Sequence, residues 1–487
     1  MYAPDVTLEV DPTLEETKTQ LFQLAMKGKW EEVVKIYERK PEAHSAKITW
    51  SGDTALHVAV SNCKEDFVKR LVEAIKTCGQ RDEEALAVKN DRGNTALHLA
   101  ASMGNVKMCG HIASNDPSLV GVSNLEGETP LFLTALRGHK DAFLCLHHIC
   151  GPKQGKGYCQ RNDHETVLHC AIAGEYFDLA FQIIHLYKDL AHLVNARGFT
   201  PLHILASKPT AFESGSNVTG WKSIIYNLTF KRCLKQSNTS DTESEISVQV
   251  DPSEEHKGSM AIIKIKEQKE KHIWSVQIMN KLLDVTRMYE YEYPRSNPQA
   301  QHLKGEETKP YEITDGVVDY GQLNNAENIN PPKDERPETA ILIAAKNGVT
   351  EMVKEIRERY PVAVHDMNAD KKNIVMLAVE YRQPHVYGLF LEKNILKDIV
   401  FHKLDKHGNS ALHLAAKLQG SKPWLISGPA FQMQWEVKWY EFVKHSMTSW
   451  YLPCHNDENK TPDQLFSETH KDLVKASSKW HYKKILN

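Results

Sequence analysis

Five histidines stand where acid–base or metal chemistry would need them. His57, His98, His169, His203 and His413 each follow a threonine or serine by three residues. Imidazole serves both kinds of chemistry near neutral pH. Yet the copies are a whole repeat apart, so they line up along a stack and do not converge on one ion or substrate. A structural role explains both their position and their recurrence, with each ring hydrogen-bonding its Thr and the adjacent turn backbones. A second group is Cys145-Leu146-His147-His148-Ile149-Cys150, followed by Cys159, His164, His169 and Cys170. Zinc sites want paired ligands at short, ordered spacing. Here Cys145, His169 and Cys170 fall on helical patterns and His164 on a turn, so no metal is expected. A third is Gly151-Pro152-Lys153-Gln154-Gly155-Lys156-Gly157, superficially a phosphate loop. It is one residue short between glycines and has Gly157 where Ser or Thr would meet magnesium. No buried strand precedes it, and a long hairpin between repeats fits better. No Ser/His/Asp or Cys/His set assembles without joining distant parts of the chain. The expectation is no enzyme and no cofactor.

The elements that hold these residues repeat. In Asp91 to Ala113, Asp91-Arg92-Gly93-Asn94 is turn chemistry, with Gly93 free to take positive φ. Thr95 can cap a helix, Leu97, Leu99 and Ala100 give it an apolar face, and Gly104 ends it. Val106, Met108 and Ile112 begin a second helix. Such a unit is too small to bury its own apolar face and needs neighbours of the same shape. They are present: Gly52 to His57, Gly127 to Leu131, His164 to His169 and Gly198 to His203. Beyond a gap come Pro337 to Ile341 and Gly408 to His413. The capping residues Thr54, Thr95, Thr129, Thr166 and Thr200 are separated by 41, 34, 37 and 34 positions. A turn and two helices at a period near 33 is the ankyrin spacing, and the units resemble the ankyrin motif Gly-x-Thr-Pro-Leu-His-x-Ala. The expected fold is all-α, an ankyrin-repeat solenoid in two blocks.

The totals agree with that class. A solenoid adds core repeat by repeat, so 487 residues need not share one core. Lys+Arg 60 against Asp+Glu 63 leaves a net charge of −3, which points to neither nucleic acid nor a membrane surface. The nine cysteines are scattered and odd in number, as suits reduced thiols in an intracellular protein better than a disulfide framework. The acidic N-terminus MYAPDVTLEVDPTLEE has no apolar core and is no secretory signal. No run of eighteen apolar residues occurs, so no membrane span is expected. The Asn-x-Ser/Thr sites at Asn217, Asn227 and Asn238 are then chance matches.

Along the chain, residues 13–43 read as a terminal cap and 13–206 as the first block of repeats. Asn62, Gly104, Gly138 and Gly174 read as the stops between paired helices. Residues 207–336 read as an insertion, with a short helix in Trp221 to Leu234 and a disordered Ser-rich acidic stretch from Ser237 to Glu255. A helix near 258–289 would complete the fifth repeat, and a long connection would fill 290–336. Residues 337–474 read as the second block and 475–487 as a basic tail. In that tail Lys475, Lys479, Lys483 and Lys484 with Trp480 and Tyr482 have the composition to touch an anionic membrane surface.

The interrupted second block and two endings carry a closer resemblance. They are Trp435-Glu436-Val437-Lys438-Trp439-Tyr440-Glu441-Phe442-Val443 and Asn459 to Leu473, with Thr461-Pro462-Asp463-Gln464-Leu465 inside it. Over roughly residues 15–475 the chain resembles the plant ankyrin-repeat proteins with a C-terminal PGG membrane domain, the group that includes the accelerated-cell-death regulators. That resemblance implies a role in defence, salicylate or salt-stress signalling at membranes. After Val474 the chain departs from the family, with Lys475-Ala476-Ser477-Ser478 where hydrophobic helices would begin. The expectation is therefore a chain without the membrane domain, cytoplasmic or peripheral at the plasma membrane. It would act as an adaptor, or as the cytosolic portion of a membrane-anchored relative. Its partners would be other proteins, including longer membrane-anchored relatives, and no nucleic acid. The expected partner site is the concave side of the stack, with its row of turn tips: Asn90, Arg92, Asn124, Glu126, Arg161, Asp163, Asn195 and Arg197, whose charges vary from unit to unit.

Overall fold

The computed structural model describes residues 12–77, 82–216, 252–285, 338–391, 400–418, 428–447 and 455–477. The expectations for Trp221 to Leu234, for most of Ser237 to Glu255, for 290–336 and for the three Asn-x-Ser/Thr sites lie outside these residues. So do Lys479, Trp480, Tyr482, Lys483 and Lys484. All named elements among the described residues are helical. Isolated antiparallel bridges such as Lys47–Thr54 and Gln160–Thr166 only close hairpin turns. The chain divides between Ala196 and Arg197 into two compact units.

The first unit begins with a helix pair, α1 (Pro12–Met26) and α2 (Trp30–Arg39). There follow α3 (Ala55–Ser61), α4 (Glu65–Thr77), α5 (Asp82–Leu86), α6 (Ala96–Ser102), α7 (Val106–Asn115), α8 (Pro130–Leu136), α9 (Lys140–Gly157), α10 (Val167–Ala173) and α11 (Phe177–Leu186). Its core runs from repeat to repeat through Leu21, Val33, Leu71, Leu97, Ile112, Phe132, Phe143, Leu168 and Ile183, all shut off from solvent. Burial of each such side chain contributes roughly 1.5–3 kcal/mol. No repeat can reach that burial without its neighbour.

The Thr and His positions explain where the inner helices start. Thr95 is extended (φ −83, ψ 168), and its backbone N–H donates to His98 Nδ1 at 3.0 Å while its hydroxyl meets the same nitrogen at 2.8 Å. With Nδ1 accepting, Nε2 holds the proton, and it reaches the Glu128 carbonyl of the next turn at 3.2 Å. His57 likewise reaches the Asn94 carbonyl at 3.0 Å, and His413 the Lys460 carbonyl at 3.1 Å. Burial holds these rings neutral, taking His98 down to about 4 and His57 and His413 below the ordinary histidine value. Each of these three histidines therefore caps its own helix and ties it to the following tip.

Two local expectations need correction. The left-handed residue between paired helices is Cys63 (φ 54), not Asn62, and Glu175 (φ 62), not Gly174. In all four units the reversal comes nine positions after the capping threonine, and Asn62 and Gly174 stand one position earlier, where Met103 and Arg137 stand before Gly104 and Gly138 and make the same last helical hydrogen bond. The segment Gly151–Gly157 is not a hairpin. It continues α9 as a second helical piece after a break at Gly151 (φ 73, ψ 163), with Pro152 in the first-turn position that tolerates it.

The second unit holds α12 (Pro201–Ala206), α13 (Pro252–Val285), α14 (Ala340–Asn347), α15 (Thr350–Arg359), α16 (Ile374–Glu380), α17 (Pro384–Leu391), α18 (Ala411–Ala416), α19 (Pro429–Ser446) and α20 (Pro462–Thr469). The long helix α13 lies in the outer position beside α12 and buries Ile278, Met279, Leu282 and Leu283. Asn347 Nδ2 donates to the Ala206 carbonyl at 3.2 Å, which links α14 to α12 across the inserted stretch. Ser214 caps α15 from 136 positions upstream, its hydroxyl accepting the Thr350 N–H at 3.0 Å and itself donating to Glu351.

Candidate protein-interaction surface

The tips of the first unit are built on a side-chain ladder. Asn90 Oδ1 accepts the backbone N–H of Arg92 and of Asn94 at 3.1 and 3.0 Å, and its Nδ2 donates to Asp53 Oδ1 at 2.8 Å. Asn124 does the same one repeat later, accepting from Glu126 and Glu128 and donating to Asn94 Oδ1 at 3.0 Å. Asn195 is buried and donates to Glu165 Oε2 at 3.1 Å. Backbone bonds run alongside, Asp91 N–H to Ser51 O and Leu125 N–H to Arg92 O. Gly93 is obligatory twice over: its φ is +76, and a Cβ there would stand 2.7 Å from the Leu125 nitrogen.

This changes the standing of the eight residues expected to meet a partner. Asn90, Asn124 and Asn195 spend their amides inside the fold. Arg161 pairs with Asp163 at 2.5 Å and with buried Glu128 at 3.4 Å. The hydrogen bond from Arg161 holds the Asp163 carboxyl at about 2. That pair braces its tip, leaving less of it for a ligand. Arg92 and Glu126 are exposed and make no ion pair among the described residues. The structure thus brings Asn90, Arg92, Asn124, Glu126, Arg161, Asp163 and Asn195 along one row in the first unit. Arg197 is exposed and opens the second.

Two further tip residues escaped sequence reading. Trp50 is fully exposed and Leu125 is 76% exposed, both at turn tips. A large apolar residue between polar neighbours in a turn was the available signal, because a tip has nowhere to bury it. Trp50, Arg92 and Leu125 follow one another on tips whose backbones are directly bonded. The chemistry this row offers is recognition: an aromatic face, a guanidinium and an aliphatic contact on a rigid base. The histidines are occupied in caps, and burial pushes the thiols of Cys109 and Cys170 up to about 12 and that of Cys159 higher still, so they are protonated and inert. No group of three or more His, Cys, Asp or Glu among the described residues could hold a metal ion. No described helix is long and apolar enough to cross a membrane.

Comparison with known proteins bears on the same region. Residues 21–120 match the family profile for ankyrin repeats (3 copies). The chain is similar to the protein Accelerated Cell Death 6 of Arabidopsis thaliana, 25% identical over 156 residues, which is 30% of this chain. It is also similar to the probable 26S proteasome regulatory subunit p28 of Saccharomyces cerevisiae, 30% identical over 119 residues, or 24% of this chain. The matches span 23% and 49% of those relatives' own lengths. Profile and stacked helix pairs agree on an all-α ankyrin-repeat solenoid fold.

Proposed function

We propose that this chain is a non-catalytic scaffold that recognises another protein through the turn tips of its first unit. The observation that carries the reading is Trp50, an aromatic side chain wholly in solvent on a tip whose backbone is fixed by the neighbouring repeat. A rigid, exposed aromatic loses little conformational entropy on binding, which is why Trp and Arg dominate binding hot spots. Arg92, Leu125 and Glu126 complete the contact. Arg161 and Asp163 flank it, and Asn90, Asn124 and Asn195 hold its shape.

The setting we propose is plant stress or defence signalling in the cytoplasm, peripheral at the plasma membrane. Support comes from the similarity to Accelerated Cell Death 6 and from the two C-terminal motifs that resemble the PGG-domain family. The low coverage of that relative supports a second reading, in which the chain is the cytosolic portion of a membrane-anchored ankyrin protein. The decisive test is affinity capture from plant extract with the full chain and a Trp50→Ala/Arg92→Glu variant. Partners recovered by the first should fall at least about tenfold with the second, at unchanged circular dichroism. Equal recovery would move the site off the tips. An alkaline carbonate wash of membranes holding the native protein separates the two settings: release means peripheral, and retention of a heavier form favours the membrane-anchored reading.

A further inference from the structure

The second unit carries its own row of tips, built on the same ladder as the first. Asn368 Oδ1 accepts the N–H groups of Asp370 and Lys372 at 3.0 and 2.9 Å, and Asp405 Oδ1 those of His407 and Asn409 at 2.8 Å. Asn456 Oδ1 accepts those of Glu458 and Lys460 at 3.1 and 3.0 Å. The Lys406 N–H donates to the Asp370 carbonyl at 2.9 Å and the Asp457 N–H to the His407 carbonyl at 3.1 Å, so the three tips form one bonded row. One position before each ladder residue stand Met367, Leu404 and His455. Met367 is 41% exposed and Leu404 49%. On the middle tips of the first unit the same place holds polar Lys89, Ser123 and Gln160. The charges of the row are committed unequally. Asp370 pairs with Lys406, Asp405 is buried against backbone N–H groups, and Glu458 pairs with Lys460 at 3.1 Å. Lys371 and Lys403 are exposed, and neither side chain makes a hydrogen bond or ion pair among the described residues. The exposed acid Asp457 stands on the third tip, past both lysines. Lys371 also sits at φ 60, in the place that Gly52, Gly93, Gly127, Gly198 and Gly408 take on five other tips. A side chain there costs conformational energy that glycine avoids, and no bond inside the fold offsets it.

We infer that this row binds an extended, acidic segment of another protein. Met367 and Leu404 take two of its apolar side chains, and Lys371 and Lys403 take the carboxylates beside them. Stacked helices lie about 8–10 Å apart, and three residues of an extended chain cover about 10 Å. The apolar side chains of the segment therefore recur at every third residue, with acids in the positions between. Such a contact is small, so the expected affinity is on the order of 50 μM. This surface is separate from the tips of the first unit and does not depend on the reading given for them.

Fluorescence anisotropy of a labelled peptide of Leu-Glu-Glu repeats, titrated with the full chain, tests this. Binding should saturate and weaken as salt is raised, and a peptide of Leu-Lys-Lys repeats should not bind. Met367→Ser with Leu404→Ser, and separately Lys403→Glu, should each weaken the acidic peptide at least about tenfold, with unchanged helix content. Lys371→Gly should weaken it at least about threefold while the melting temperature holds or rises, an outcome that a merely structural lysine would not give. Trp50→Ala should leave the affinity as it is. No binding of the acidic peptide, equal binding of the basic one, or indifference to the serine and glutamate variants overturns the proposal. So does capture of the chain by phosphatidylserine vesicles in place of the peptide, or self-association that the serine variant abolishes, since the row would then belong to a lipid surface or to a second copy.

Discussion

The two units use the same repeat chemistry and close its loose ends differently. In the first, the reversal between paired helices is made by local backbone, with Gly104 and Gly138 in the left-handed region. In the second, the equivalent reversal between α16 and α17 falls on Arg382 (φ 55), whose side chain is fully buried. Its guanidinium donates to the carbonyls of Leu414, Ala415 and Lys417 at the end of α18 and pairs with Glu436 at 2.8 Å. Buried His470 stands 3.6 Å from the same carboxylate, with its Nδ1 on the Phe466 carbonyl. Burial pushes the Glu436 carboxyl up, but the neighbouring His470 ring and Arg382 guanidinium outweigh it and hold it below the usual range. One charge cluster thus joins three successive repeats. The second unit also reverses locally at Gly348, but around its interruptions it is tied by side chains from distant positions, Arg382 here and Ser214 at the start of α15.

The sharpest way to break that contrast is at Glu436. Glu436→Ala leaves Arg382 buried without its counter-ion and should cost about 3–5 kcal/mol. Hydrogen exchange should speed up over 411–416 and 462–469 and stay unchanged over the first unit. Equal protection everywhere would mean the cluster holds nothing together. Replacing Arg382 and Glu436 together with Met should cost less than Glu436→Ala, because no charge is then stranded.

Acid should find the first unit through its histidines. His98 is near 4 in the fold and about 6.5 in an unfolded chain. Above about pH 6.5 it is neutral in both states. Between about 6.5 and 4 only the unfolded chain takes up the proton, so stability falls with pH by about 3 kcal/mol. Urea midpoints across that window should slope accordingly, and His98→Asn should flatten the slope. An identical slope in the variant would remove His98 as its source.

Smaller effects separate conformation from contact. Gly93→Ala meets both a positive φ and the Leu125 backbone, and should cost roughly 2 kcal/mol or more. Gly28→Ala has a similarly positive φ of +70 but open space around the new carbon, so about 1 kcal/mol is expected. Equal melting shifts would mean the lateral contact between tips is soft. The smallest change belongs to Trp50→Ala, within about 0.5 kcal/mol, because the side chain touches only water. A larger loss would make Trp50 part of the fold and not of a recognition site.

The sequence by itself determined the repeats. A Thr, a His three residues on and a Gly before them make bonds that close within one turn, so their spacing is the structure. It also determined that the five histidines were caps, since nothing along a stack could gather them. The tip asparagines looked like display residues because their exposure could be guessed and their amide bonds could not. Each Nδ2 reaches across to a residue 30 or 37 positions away, whose location only stacking supplies. Trp435-Glu436-Val437-Lys438-Trp439 and His470 read as family marks, yet which of them face inward was decided by docking against α16, α18 and α20. Hydrogen bonds within four residues follow from the chain, whereas a buried charge has no partner until folding brings one to it. That division separates the helices, which were legible, from the cluster at Arg382, which was not.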